Sequence, residues 1–308
     1  MTTLNHSPNI VAVEILGGLG NQIFQYACGR ALAHKLGAEL VWDLRPFADY
    51  SLRKFELDRF QIQGRMATPN EQRLFERTQF SKNKLIRKAQ RVLSSFSHPP
   101  GKSYREKSGP FVYDEQILNL RTPVLLRGYW QSEKYFQDIR PSLLNELQLR
   151  DQLNQKSQDI LKLIQRSSRP VSLHIRRGDY VSNPEAARFH GQCSLRYYEE
   201  AIQWFASNMG EIELFIFSDD IDWCRSNLKT GSSRVVYVDA NSASQPEADL
   251  MLMKTCSHHI IANSSFSWWG AWLCTQPGQR VIAPKRWIAD PNVKTDDVVP
   301  SSWIRLEN

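Results

Sequence analysis

Between residues 171 and 283 short apolar runs alternate with stretches of helical spacing, and this alternation limits the folds open to the chain more than any other feature. Strands are expected over 171–175, 213–217, 235–238, 259–262 and 280–283, and helices over 195–206, 222–228, 248–256 and 266–274. Such a series builds a mostly parallel, doubly wound sheet that binds ligands outside the carboxyl ends of its strands. The amino-terminal part opens the same way: strand 10–16, the turn Gly17-Gly18-Leu19-Gly20, helix 21–36 and a second strand from 39, which together make a βαβ unit. A later strand over 122–126 runs into Arg127-Gly128-Tyr129-Trp130, and proline and glycine at 99–101 and 109–110 mark loops. The polar stretch 141–165, with leucines at helical intervals, holds the expected junction. The fold class is therefore α/β, with two Rossmann-like, doubly wound halves, 1–150 and 151–308, facing each other across a cleft.

With 308 residues, 41% of them hydrophobic and 23% charged, the chain can bury a large core without disulfides. The five cysteines, Cys28, Cys193, Cys224, Cys256 and Cys274, lie at wide, irregular spacing with no zinc pattern, which fits packed thiols in a reducing compartment. The start MTTLNHSPNIVAVEIL lacks a basic n-region followed by an apolar h-region, and no segment reaches the roughly 18 apolar residues of a membrane span, so a cytoplasmic protein is expected. The net charge of +7 is confined to residues 71–107, where ten lysines and arginines face three glutamates. Leu74, Phe75, Leu85, Ile86, Ala89, Val92 and Leu93 alternate with them, as in a basic amphipathic helix that either contacts an anionic membrane or covers a cleft with a solvated face. No RNP, zinc-finger or basic-zipper pattern points to nucleic acid.

Four segments carry chemistry. In His174-Ile175-Arg176-Arg177-Gly178-Asp179-Tyr180 two fixed cations follow a strand, and their planar forks suit the oxygens of a diphosphate; an ordinary surface turn with an Arg–Asp pair is the plain alternative. Gly17-Gly18-Leu19-Gly20-Asn21-Gln22 sits between strand and helix, where backbone N–H groups favour an anion or an oxygen-rich ligand. A dinucleotide fingerprint would want a third glycine where Ile23 stands, although Asp43 follows at the ribose-binding distance. Phe217-Ser218-Asp219-Asp220-Ile221-Asp222 holds a D-x-D element, Asp220 and Asp222, that either binds a divalent cation or caps a helix; capping is the expectation, because the arginines already neutralise phosphate. Asn263-Ser264-Ser265-Phe266-Ser267-Trp268-Trp269-Gly270-Ala271-Trp272 opens a helix with hydroxyls able to donate to phosphate, and at least two of its three tryptophans are expected in the core. Asp249, acidic in an otherwise apolar helix, can accept paired hydrogen bonds from guanine N1 and N2.

These segments, with Gly128-Tyr129-Trp130-Gln131-Ser132-Glu133-Lys134-Tyr135-Phe136, resemble the bacterial α-1,2-fucosyltransferases of glycosyltransferase family 11, in the family order and over nearly the whole chain. The resemblance implies a GT-B-type enzyme that takes GDP-fucose, inverts at the anomeric carbon, needs no metal or other cofactor, and fucosylates O2 of a galactose-terminated glycan. By position it implies that Arg176 and Arg177 hold the pyrophosphate with His174 beside the nucleotide, that Asp249 reads guanine, and that Ser264, Ser265 and Phe266 contact phosphate or fucose. Asn21 faces the reacting centre, with Gln22 on the acceptor side, and Asp179 is either the general base or a residue that orients the arginines. Three rivals explain fewer segments: a metal-dependent sugar transferase built on Asp220 and Asp222, an NAD oxidoreductase with Asp43 on the ribose, and a non-catalytic glycan-binding protein using the tryptophans and the basic segment.

Overall fold

The computed structural model describes residues 8–48, 53–76, 101–107, 109, 111–177, 191–241 and 245–308. The first apolar run forms β1 (Ile10–Glu14), the glycine turn leads into α1 (Leu19–Leu36), and β2 (Glu39–Asp43) follows. β3 (Arg65–Met66), α2 (Pro69–Arg73), β4 (Lys102–Arg105) and β5 (Val124–Arg127) come next. These strands make a five-stranded sheet of order β3-β2-β1-β5-β4 in which every pair is parallel. Two helices, α3 (Arg140–Glu146) and α4 (Gln155–Arg166), lead to the second sheet.

That sheet begins with β6 (Pro170–Ile175), whose six residues are all buried, as a central parallel strand requires. Then α5 (Leu195–Met209), β7 (Glu213–Ser218), α6 (Ile221–Asn227), β8 (Arg234–Tyr237), α7 (Pro246–Thr255), β9 (His258–Ile260), α8 (Ser265–Trp272), β10 (Val281–Pro284) and β11 (Ile304–Leu306) alternate to the end. All pairs are parallel in the order β11-β10-β9-β6-β7-β8. Strand order reverses between β1 and β5 in one sheet and between β6 and β9 in the other, so each sheet has one switch point.

The expected elements stand within a few residues of their predicted bounds, whereas β3, β4 and β11 were not expected. All three are edge strands with too few inward residues to show a period of two. Lys102 and Arg105, at the end of the basic segment and beyond its expected helix, lie on β4, and Phe75 is buried against Ile10, Ala12, Val41 and Leu125 of the first sheet. The rest of that segment, 77–100, lies outside the described residues. No helix among the described residues is long and apolar enough to cross a membrane.

One apolar core spans both sheets. Phe24 of α1 lies 4.5 Å from Trp268 and 4.9 Å from Trp269 of α8, between ring centroids, and Phe136 stacks on Trp269 at 5.2 Å. Trp268, Trp269 and Trp272 are all buried, so they are core and offer no platform for a sugar, contrary to the glycan-binding alternative. All five cysteines are free thiols, four of them buried.

Candidate active site

The two halves meet start to start. A Cβ added at Gly20 in the first turn of α1 would lie 2.5 Å from the Ser265 carbonyl carbon and 2.6 Å from the Phe266 nitrogen, so only glycine lets the two helix starts touch backbone to backbone. The indole N–H of Trp269 donates to the Gly20 carbonyl at 3.0 Å and fixes the contact. Each helix begins just beyond the carboxyl end of a strand, and the carboxyl edges of the two sheets therefore face one cleft. Gly17 supplies the left-handed turn, φ +82°, that sends β1 into α1.

Asn21 lies over that turn, half-buried, and its side-chain oxygen accepts from Gln131 Nε2 at 2.9 Å. Gln22 departs from expectation. It is fully buried, donates to the carbonyls of Gly17 and Lys54 at 2.8 Å each and accepts from the Glu56 N–H at 2.9 Å, so its amide is spent on holding the turn and does not face an acceptor. Asp43 is equally committed: Arg45 grips both its oxygens and leaves it 2% exposed, which removes the ribose contact of the oxidoreductase alternative.

On the second sheet β6 delivers His174 and the two arginines to the switch point, opposite the start of α8. His174 is buried, its ring centroid 5.7 Å from that of Phe266, and its Nδ1 has no hydrogen-bond partner among the described residues. Burial, with the nearby Arg176 charge, pushes its pKa down to about 4, so at neutral pH it is an uncharged imidazole. A buried, unpartnered ring nitrogen in a cleft is a ready contact for a polar ligand. Ser264 caps α8, its Oγ accepting the Phe266 N–H at 3.3 Å, and Ser265 and Phe266 are half-buried beside it.

The structure divides the two arginines that were expected to work as a pair. The Arg177 guanidinium lies 3.6 Å over the Trp223 ring and its Nε pairs with Asp220 at 3.1 Å, while its backbone N–H donates to Asp219 at 2.8 Å. Arg177 is thus anchored to α6, and Arg176 is the arginine left on the side of His174. Asp220 also accepts the Trp223 N–H at 3.2 Å, capping α6 as expected, which commits a carboxylate the metal-dependent alternative needs. Among the described residues no group of three or more His, Cys, Asp and Glu is placed to hold a metal ion. Asp179 lies outside the described residues.

Asp249 stands in the first turn of α7, and Asn241 donates to its Oδ1 at 2.6 Å. Asn241 is itself held by Ser157 Oγ at 2.7 Å and Asn154 Nδ2 at 3.0 Å from α4. Burial pushes the Asp249 carboxyl up to about 6 against the effect of that hydrogen bond. A cavity of about 200 Å³ opens beside this helix start, lined by Arg59, Asn154, Gln245, Glu247 and Ala248. Gln131, Asn241 and Trp223 were not singled out by sequence reasoning. Gln131 lies inside a quoted motif, but nothing in its spacing reveals its partner.

The model of glycosyl transferase family 11 matches residues 10–307, almost the whole chain. The chain belongs to that family. As a family 11 glycosyltransferase it is similar to an α-1,2-colitosyltransferase of Escherichia coli, 33% identical over 305 residues that cover 97% of this chain and 99% of that protein. It is also similar to the galactoside α-(1,2)-fucosyltransferase 2 of Hylobates lar, 30% identical over 154 residues, 49% of this chain and 45% of that one. Among solved structures, the NodZ α-1,6-fucosyltransferase co-crystallized with GDP superposes with a TM-score of 0.51 at 14% identity, over 86% of this chain and 92% of that one. That likeness concerns the fold, two doubly wound halves in the GT-B arrangement, as the sequence implied.

Proposed function

We propose that this glycosyltransferase moves L-fucose from GDP-β-L-fucose to O2 of a terminal β-galactoside, inverting the anomeric carbon and using no metal ion. The observation that carries the reading is the convergence of His174, Arg176 and the start of α8 at the β6/β9 switch point, directly against the start of α1 with Asn21. Departure of GDP through an oxocarbenium-like state puts charge on the leaving phosphate. Arg176 and the N–H groups of the α8 start stabilise that charge in a desolvated cleft, which is the largest catalytic contribution available here. Ser264, Ser265 and Phe266 line the phosphate and fucose, and neutral His174 offers its ring nitrogen to the nucleotide. Asp249, ionised, accepts guanine N1–H and N2–H together. Arg177 positions Arg176 by anchoring the loop to Asp220 and Trp223, and Asn21, oriented by Gln131, contacts the reacting centre. Asp179, outside the described residues, is given the task of orienting the arginines.

The donor is the point to test first, because a relative 33% identical over nearly its whole length carries the name of a colitosyltransferase. GDP release is measured with lactose as acceptor and with GDP-fucose or GDP-linked colitose as donor, with and without EDTA, followed by linkage analysis of the product. Fucose on O2 of galactose, formed equally well in EDTA, is the expected result. Turnover with colitose alone would reassign the donor, and loss of turnover in EDTA would restore a metal-dependent mechanism. The reading also keeps a cytoplasmic enzyme whose segment 71–107 either covers the cleft with a solvated face or touches anionic lipid; liposome flotation unaffected by anionic lipid would remove the second.

A further inference from the structure

The first sheet's switch point, between β1 and β5, faces the same cleft as the donor site and carries an ion pair to which the reaction above gives no task. Glu14 is the last residue of β1 and Arg127 the last of β5, and their side chains bridge the crevice with Nε 3.3 Å from Oε2. They belong to one rung of charges, since Glu14 lies opposite Asp43 of β2, and Arg127 opposite Arg105 of β4. The rung sits on the sheet face away from α1, beyond the apolar patch of Ile10, Ala12, Val41 and Leu125.

The two carboxylates of this rung differ in what is left to them. Asp43 is held on both oxygens by Arg45, at 2.6 to 3.1 Å, and its side chain is 3% exposed. Glu14 keeps 20% exposure, and its contact with Arg127 is an ion pair without a hydrogen bond, since Arg127 Nε has no hydrogen-bond partner among the described residues. Glu106, the other half-buried acid at this edge, spends both oxygens on the backbone N–H groups of Tyr129 and Trp130 at 2.9 and 3.1 Å. Glu14 therefore combines a place at a switch point, a guanidinium paired with it across the crevice, and a carboxylate not committed as those of Asp43 and Glu106 are.

We propose that Glu14 is the general base and that Glu14 and Arg127 form the acceptor subsite, at which a hydroxyl-rich sugar lies against the carboxyl edge of the first sheet. The inference rests on the fucosyl-transfer reading. As the acceptor oxygen bonds to C1 of the donor sugar, the C1–O bond to the β-phosphate breaks and its electron pair leaves with GDP. The proton of the attacking hydroxyl passes to Glu14 Oε1. Arg127 donates to a neighbouring ring hydroxyl and keeps the carboxylate turned toward the attacking one. The charged groups around Glu14 are Arg127 and Arg105 from β5 and β4, Asp43 from β2 and Arg45 after it. Burial raises its pKa first, and Arg127 opposes the rise.

The test uses the full chain with lactose and GDP-fucose. In E14Q, acceptor-dependent kcat/KM is expected to fall by about 100-fold or more, with the Kd for GDP, set on the other sheet, within about twofold of wild type. E14Q turning over within about threefold of wild type, with an unchanged acid limb in its pH profile, would overturn the proposal. In R127Q the acid limb of kcat/KM is expected to move to higher pH, because the charge that holds the Glu14 pKa down is gone. A limb that stays put in R127Q overturns the proposal even if E14Q proves unfolded. Wild-type enzyme that transfers no fucose to any β-galactoside takes down the donor reading together with this one, whereas transfer by wild type and E14Q alike sinks only this one.

Discussion

Adjacent arginines with identical chemistry do different work here, because the chain sends Arg177 onto Trp223 and Asp220 and leaves Arg176 beside His174. Arg176→Ala is expected to lower kcat for GDP release by about 2.7–4 kcal/mol of transition-state stabilisation, roughly a hundred- to a thousandfold. Arg176→Lys stays badly impaired, since a point charge cannot replace a bidentate fork. In Arg177→Ala the loss of a stacked cation and an ion pair lowers the melting temperature, and turnover falls less than in Arg176→Ala. At Asp249 the prediction concerns pH. With its carboxyl pushed up to about 6, the acceptor pair for guanine is lost as pH falls through that value, so GDP affinity measured by calorimetry drops between pH 7 and pH 5 and is flat above 7. Asp249→Asn should be weaker throughout and lose this dependence. For stability the sign is reversed: a raised carboxyl pKa favours the protonated fold, so this residue's contribution to stability declines as pH rises from near 4 to about 6.

Among the elements, the contact that matters most is between α1 and α8, and two glycines in one turn separate its causes. Gly20→Ala would drive a methyl into the Ser265–Phe266 backbone at 2.5–2.6 Å and push the helix starts apart, whereas Gly18→Ala meets only Arg53 Nε at 3.9 Å. The first change is expected to cost about 1–3 kcal/mol of stability by overpacking and to depress turnover further, because Asn21 moves with α1. The second should be close to neutral in both. Urea unfolding and GDP-release rates on the two variants decide the matter, and equal behaviour would refute the role given to Gly20. The segment around Phe217-Ser218-Asp219-Asp220 acts at the same scale, since its carboxylates hold Arg177 to the start of α6.

Taken whole, the molecule has two sheets but one principal core, in which Phe24, Phe136, Trp268, Trp269 and Trp272 interlock across the cleft floor. Halves joined by so much buried aromatic surface should unfold together. A single calorimetric transition is expected, displaced upward by GDP; two separable transitions would mean that the halves are independent.

The sequence by itself determined the alternation of strands and helices, hence the parallel sheets, their carboxyl edges and the residues delivered there, because periodicity and turn chemistry act over a few neighbouring residues. The placing of His174, Arg176, Asp249 and Ser264 at strand ends and helix starts was legible in this way, while the tasks given to them come from the family resemblance. Tertiary structure alone decided that Arg177 is anchored to Asp220 and Trp223, that Gln22 is buried while Asn21 meets Gln131, and that Gly20 serves a contact with Ser265, 245 positions away. It also decided the edge strands, whose few inward residues carry no period, and the pairing of Glu14 with Arg127. Each of these depends on which distant backbone comes near, and that is set by how the helices pack and in what order the strands lie.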